Sequence, residues 1–423
     1  MPALRFSSAL RRWCRTGCAV LCLVSGAATA AYAGDWPQIL GPSRNGIATD
    51  ERLANTLPPS GPAVVWQRSV GEGLAGVAVA QGRLVLFHRV GDEERVEALQ
   101  AATGDLVWKT DFPTHYAGSI SEDNGPRCVP LIYDGHVYLC GAEGGLYCVA
   151  LNTGKTRWSR QAARDFGATE GYFGFGSTPI IEGDKLLINV GGKGRAGIVA
   201  LSLADGKTVW QATSEQASYS SPTAATLDGA RHVIFVTRLN VVSLDPNTGD
   251  VRFTFPFGQR GPTVNAATPL IIGGGLFVSA SYGVGAAYAR IGKQGAESVW
   301  ANDGTMSSQY STCVLHKGDL YGSDGRQDVG RARLRCFDPR TGKVHWTKND
   351  FGVATFILAD EKLLIMKTDG ELVLATPSPQ EFKPLGSARL LGGTTRPLPA
   401  LSEGLFFVRD QKTLKCVDLR RKP

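Results

Sequence analysis

"CFDPRTGKVHW", residues 336–346, reads as the end of one strand, a tight turn and the start of another. The chain repeats this phrase. It writes "ALQAATGDLVW" (98–108), "VALNTGKTRW" (149–158), "ALSLADGKTVW" (200–210) and "SLDPNTGDVRF" (243–253), then a looser "ARIGKQGAESVW" (289–300). The copies recur at intervals of 42 to 52 residues, and self-similarity at such a period marks a repeat architecture.

The phrase has a physical reading. Pro339 presets φ for the first corner, Asp338 and Thr341 accept hydrogen bonds from nearby backbone N–H groups, and Gly342 supplies the positive φ that closes a bulged hairpin. Asp245, Pro246, Thr248 and Gly249 repeat the arrangement. The aromatic residue that follows holds one equivalent position: Trp66, Trp108, Trp158, Trp210, Phe253, Trp300 and Trp346. Buried aromatics hide about 150–250 Å² each, an upper-bound gain of roughly 4–6 kcal/mol. Residues spread around a ring cannot all face one ligand, so these are expected to wedge neighbouring sheets apart and together.

Around each phrase lie four short apolar runs separated by Gly, Asp, Asn and Pro. Counting the second run of each copy gives eight: "RLVLFH", "HVYLCG", "KLLINV", "HVIFVT", "LFVSAS", "DLYGSD", "KLLIMK" and "LFFVRD". The last copy has no fourth strand, and "AVVWQRSV" (63–70) supplies it from the other end of the chain. The predicted fold is all-β: an eight-bladed propeller of four-stranded antiparallel blades, closed by N- and C-terminal strands, which removes exposed edges.

Three segments follow. Residues 1–33 carry four arginines, then "CAVLCLVSGAATA" and "AYA", the pattern of a secretory signal cut near Ala33. Residues 34–62 form an extended lead-in, with "PSRNG" and "LPPSGP" reading as linker across the rim, and 63–423 form the propeller. Losing the signal takes the net charge from +7 to about +3. That is too little for a nucleic-acid partner. The apolar run is too short to span a membrane. The mature chain is read as a monomer, periplasmic or otherwise exported. Its six cysteines make no C-x-x-C pair and are expected as buried thiols, with a Cys140–Cys148 bridge as the alternative. The six histidines are scattered singly, with no metal-ligand spacing.

The "A-L-D-x-x-T-G-K-x-x-W" phrase resembles the repeat of pyrroloquinoline quinone (PQQ) propellers, a superfamily that includes quinoprotein alcohol dehydrogenases and the outer-membrane assembly factor BamB. "DWPQILGPSRNGI" (35–47), "ASYSSPTAA" (217–225) and "ATPLIIGGGLFVSASYGVGAA" (267–287) resemble exported BamB-like proteins. The dehydrogenases imply PQQ with Ca²⁺, a vicinal cysteine pair and an aspartate base. This chain has no adjacent cysteine pair after the signal, no C-x-x-C-H haem motif, and no position onto which the calcium ligands map. The reading is therefore a non-catalytic scaffold with no required cofactor and no catalytic or metal residue, whose partner is an envelope or exported protein or peptide. A PQQ-dependent oxidoreductase, or a PQQ binder without catalysis, is the alternative.

In a propeller, the loops entering each blade's first strand and those between second and third strands gather on one face. Candidate binding residues there are Arg127, Glu170, Tyr172, Tyr219, Asn265, Tyr282, Tyr310, Arg326 and Arg331. Tyrosines offer flat contact surface and arginines meet carboxylates.

Overall fold

The computed structural model describes residues 34–421 except 119, 121, 122 and 262; the expected signal segment lies outside the described residues. Eight four-stranded antiparallel blades are arranged as a propeller ring, spanning 78–113, 131–161, 180–212, 223–256, 270–302, 314–348 and 354–389, with the eighth made of 400–418 and Ala63–Ser69. In the eighth, Ala63–Ser69 pairs antiparallel with Thr413–Asp418, Gln67 opposite Lys415. That ladder closes the ring. The eight apolar runs counted in the sequence are the second strands of the eight blades.

The repeated turn forms as its chemistry requires. Asp338 accepts from Arg340 N–H at 2.8 Å and from the Thr341 hydroxyl at 2.8 Å, and Gly342 has φ +73°. Each wedge aromatic sits opposite the third strand just past a bulge, as Trp158 does opposite Cys148. The indole then reaches the next blade. Trp66 donates to Ala101 O, Trp108 to Leu151 O and Trp158 to Leu203 O, at 2.7–3.0 Å. Trp210, Trp300 and Trp346 do likewise to Pro246, Pro339 and Ser378. Each of the first three rings also covers the turn glycine of the next blade: a Cβ on Gly104, Gly154 or Gly206 would come within 2.9 Å of it. Phe253, which has no N–H to donate, holds the position in blade 4 with its ring buried.

Blade 7 breaks the pattern. The position opposite Leu374 is Gly386, and the space a wedge would take is filled by Leu57, whose atoms lie 3.2–3.3 Å from where a Cβ on Gly386 would stand. Leu57 belongs to the lead-in, which runs inside the ring instead of across its rim. Asp35 accepts from Gln81 N–H and Trp36 bridges Val79. Pro37 O takes the N–H of Ile132 in blade 2. Arg44 donates to Thr178 O and Pro179 O beside blade 3. Ile47–Ala48 adds a fifth, parallel strand to blade 7, and Leu53 bridges Arg420. Trp36 and Leu53 are 2 % and 1 % exposed, so the lead-in contributes side chains to the core.

The six cysteines are free and buried. Cys148 faces Tyr138 and Cys140 faces Leu146 on adjacent strands, and the alternative bridge is not formed.

Candidate functional site: the funnel face

The lead-in approaches from the turns between first and second strands, at Gln81, Asp360 and Gly404. On the opposite face, among the described residues, the ring's centre forms a funnel of about 210 Å³. Ile39 of the lead-in closes it from below, beside Leu74, Val129 and Leu398. Tyr219, Tyr282, Tyr310 and Phe173 stand around the mouth with Arg127 and Arg396. A groove of about 390 Å³ runs outward between blades 3 and 4 and shares Gly176, Tyr219 and Val264 with the funnel.

The fold fixes these side chains through backbone contacts. Arg127 donates to Gly125 O at 2.6 Å and Asp123 O at 2.8 Å, with its guanidinium 5.6 Å from the Tyr116 ring centre. Arg396 donates through Nε to Gln327 Oε1 at 2.8 Å, and its guanidinium lies against the Tyr310 hydroxyl. Neither arginine makes an ion pair among the described residues. Tyr310 donates to the same Gln327 oxygen at 2.7 Å, and burial pushes its hydroxyl well above the usual phenol range. Tyr219 Oη accepts from Phe173 N–H at 2.7 Å, and burial raises it to about 12. Tyr282 has φ +66°, a conformation bulky residues rarely adopt. Its ring lies 4.2 Å from the Arg326 guanidinium.

Of the nine residues singled out in the sequence, Arg127, Tyr219, Tyr282 and Tyr310 line the funnel, and Glu170, Tyr172, Tyr219 and Asn265 line the groove. Tyr172 is 39 % exposed, beneath the Arg238 guanidinium at 5.8 Å. Asn265 shapes the groove: its amide nitrogen is spent on Thr237 O, Arg238 O and Phe257 O, and it is buried. Arg326 is ion-paired with Asp328, its Nε 3.0 Å from Oδ1, and Arg331 pairs with Arg326 across neighbouring strands. Arg326 stands outside both cavities.

Arg396, Arg238 and Arg260 were missed. The loop rule contains the signal for all three, with Arg260 in the loop entering the first strand of blade 5. Arg396 in "TTRPLP" enters the first strand of blade 8, and Arg238 in "TRLN" joins second and third strands of blade 4.

A PQQ–calcium pair calls for hard oxygen donors, carboxylates first. The funnel lining offers two arginines and no Asp or Glu. Among the described residues, no group of three or more His, Cys, Asp or Glu is placed to hold a metal ion. The lining does not fit that pair.

Comparison with known proteins places the chain. The family described as outer membrane protein assembly factor BamB matches residues 50–213 and 92–348. The chain belongs to the BamB family. BamB of Burkholderia pseudomallei (strain K96243) is 24 % identical over 357 residues, covering 74 % of this chain and 82 % of that protein. The crystal structure of BamB from Moraxella catarrhalis superposes with TM-score 0.62 at 15 % identity, over 84 % of this chain and 99 % of that one. The quinohemoprotein alcohol dehydrogenase of Comamonas testosteroni gives TM-score 0.66 at 13 % identity, over 94 % and 82 %. At these identities the two structures speak for the shared fold alone. Among the described residues, no helix is long and apolar enough to cross a membrane.

Proposed function

We propose that this BamB-family chain is an exported, periplasmic, non-catalytic scaffold that holds another envelope protein in outer-membrane protein assembly, using the funnel face. One observation carries the choice of face: the lead-in occupies the opposite one, while this one presents half-buried aromatic rings and arginines without carboxylate partners. Rigid blades hold these groups in place, which lowers the ordering cost of binding. Family membership supports the assembly role.

Site-specific photo-crosslinking in the cell envelope tests this. A crosslinker at Tyr172 or Tyr282 is expected to capture a component of the outer-membrane assembly machinery, identified by mass spectrometry. The same group at Lys155 or Asp205, on the exposed turns of the other face, is expected to capture none. Capture of such a component from Lys155 or Asp205 alone, or from no position, would overturn the reading.

A further inference from the structure

We infer that the funnel is a receptor for the free carboxyl terminus of an extended peptide segment ending in an apolar residue. This rests on the scaffold reading and names what that scaffold grips at the ring's centre.

The funnel is blind. Ile39 and the buried lead-in beneath it bar a chain from passing through the ring, so an occupant has to end there. The volume of about 210 Å³ corresponds to roughly seven water molecules, room for one large side chain with a terminal carboxylate. The walls split into two kinds. Leu74, Val129, Phe173 and Leu398 offer apolar contact, and Arg127 and Arg396 offer positive charge.

That charge awaits an anion. Arg396 bonds Gln327 through Nε and lies against the Tyr310 hydroxyl, yet it has no ion-pair partner among the described residues, and a guanidinium is a fork matched to a carboxylate. Arg127 is held in place by two carbonyls, which orient its charge without neutralising it. A peptide with an internal acidic side chain would have to bend back out of a closed funnel. A chain end avoids that. Capture of a terminal carboxylate is a known recognition mode, and here the groove between blades 3 and 4 gives the preceding residues a path outward.

The test is fluorescence anisotropy on the purified chain. The probes are labelled six-residue Gly/Ser peptides ending in Leu, Phe or Tyr, each as free acid and as carboxamide. At least one free acid is expected to bind saturably, with its amide weaker by about tenfold or more, the scale of a charge-assisted contact. Arg396→Gln is expected to weaken the free acid by about the same factor while leaving the amide and the melting temperature unchanged. Equal binding of acid and amide would overturn the proposal, as would no saturable binding of any free acid up to about 1 mM. If photo-crosslinking from Tyr172 succeeds while all peptides fail, the scaffold reading stands and the carboxyl-terminal receptor falls.

Discussion

The glycine in each repeated turn answers to two neighbours. Gly154 has φ +69°, and a Cβ there would also stand 2.4 Å from the Trp108 ring of the preceding blade. Gly135 has the same φ with nothing within 4 Å. Gly135→Ala should therefore cost about 1–2 kcal/mol for left-handed backbone alone. Gly154→Ala should cost at least about 1 kcal/mol more, because the indole is also displaced. Urea denaturation of the two variants reads the difference, and equal losses would mean that the wedge contact is not tight. Another residue-scale effect comes from Glu94, 1 % exposed and accepting from Ala142 N–H at 2.6 Å. Burial raises its carboxyl to about 7, with Glu143 adding to the rise against Arg89 and Arg127. A folded pKa above the unfolded one gives stability that is full below about pH 4.5 and lost as pH rises towards 7. Glu94→Gln keeps an acceptor and never ionises. It should raise the melting temperature at pH 8 and leave it nearly unchanged at pH 4.5.

At the scale of elements, the strands were legible and the lead-in was not. Strand runs announce themselves through alternation and turn residues, and eight of them at a regular period left one architecture. The lead-in has no period, because it packs against several different blades in turn, and its Pro and Gly content imitates a linker. What could have exposed it is an absence: the blade 7 copy lacks its aromatic and has Gly386 there. An empty wedge position calls for a filler, and Leu57 is that filler. The site was partly legible for a related reason. The loop rule finds the face, so Arg127, Tyr219, Tyr282 and Tyr310 follow from it. Which arginines lack a carboxylate depends on packing, as Arg326 against Asp328 shows. Leu57→Ala should cost about 2–4 kcal/mol, as for a buried leucine that leaves a cavity. Val64→Ala on the exposed outer strand of blade 8 should cost under about 0.5 kcal/mol. Thermal melts of both variants check this, and a Leu57 variant as stable as the parent would show that the gap between blades 7 and 8 closes without it.

For the whole molecule, the ladder between Ala63–Ser69 and Thr413–Asp418 joins the two ends of the blade sequence into a ring, with the lead-in adding further ties. Elsewhere the four main strands of each blade are contiguous in the chain, so opening a seam between two blades leaves the backbone connecting them. Of the eight four-stranded ladders, the eighth alone draws its strands from distant parts of the sequence, and it bears the loop-closure entropy of nearly the full chain. Separation of Ala63–Ser69 from Thr413–Asp418 is therefore expected to be an early step of unfolding. A cysteine pair at Gln67 and Lys415, opposite one another in that ladder, would lock it. Closing a loop of roughly 350 residues has an ideal value of about 5–6 kcal/mol, of which engineered bridges deliver only a part. The native thiols are buried and compete poorly for oxidation. The oxidised Gln67→Cys/Lys415→Cys protein should unfold more slowly and melt several degrees higher than its reduced form, with reductant reversing both. If oxidation is verified and neither changes, unfolding starts elsewhere in the ring, and the seams flanking Phe253 and Leu57, where no indole N–H crosses between blades, are where hydrogen exchange should then be fastest.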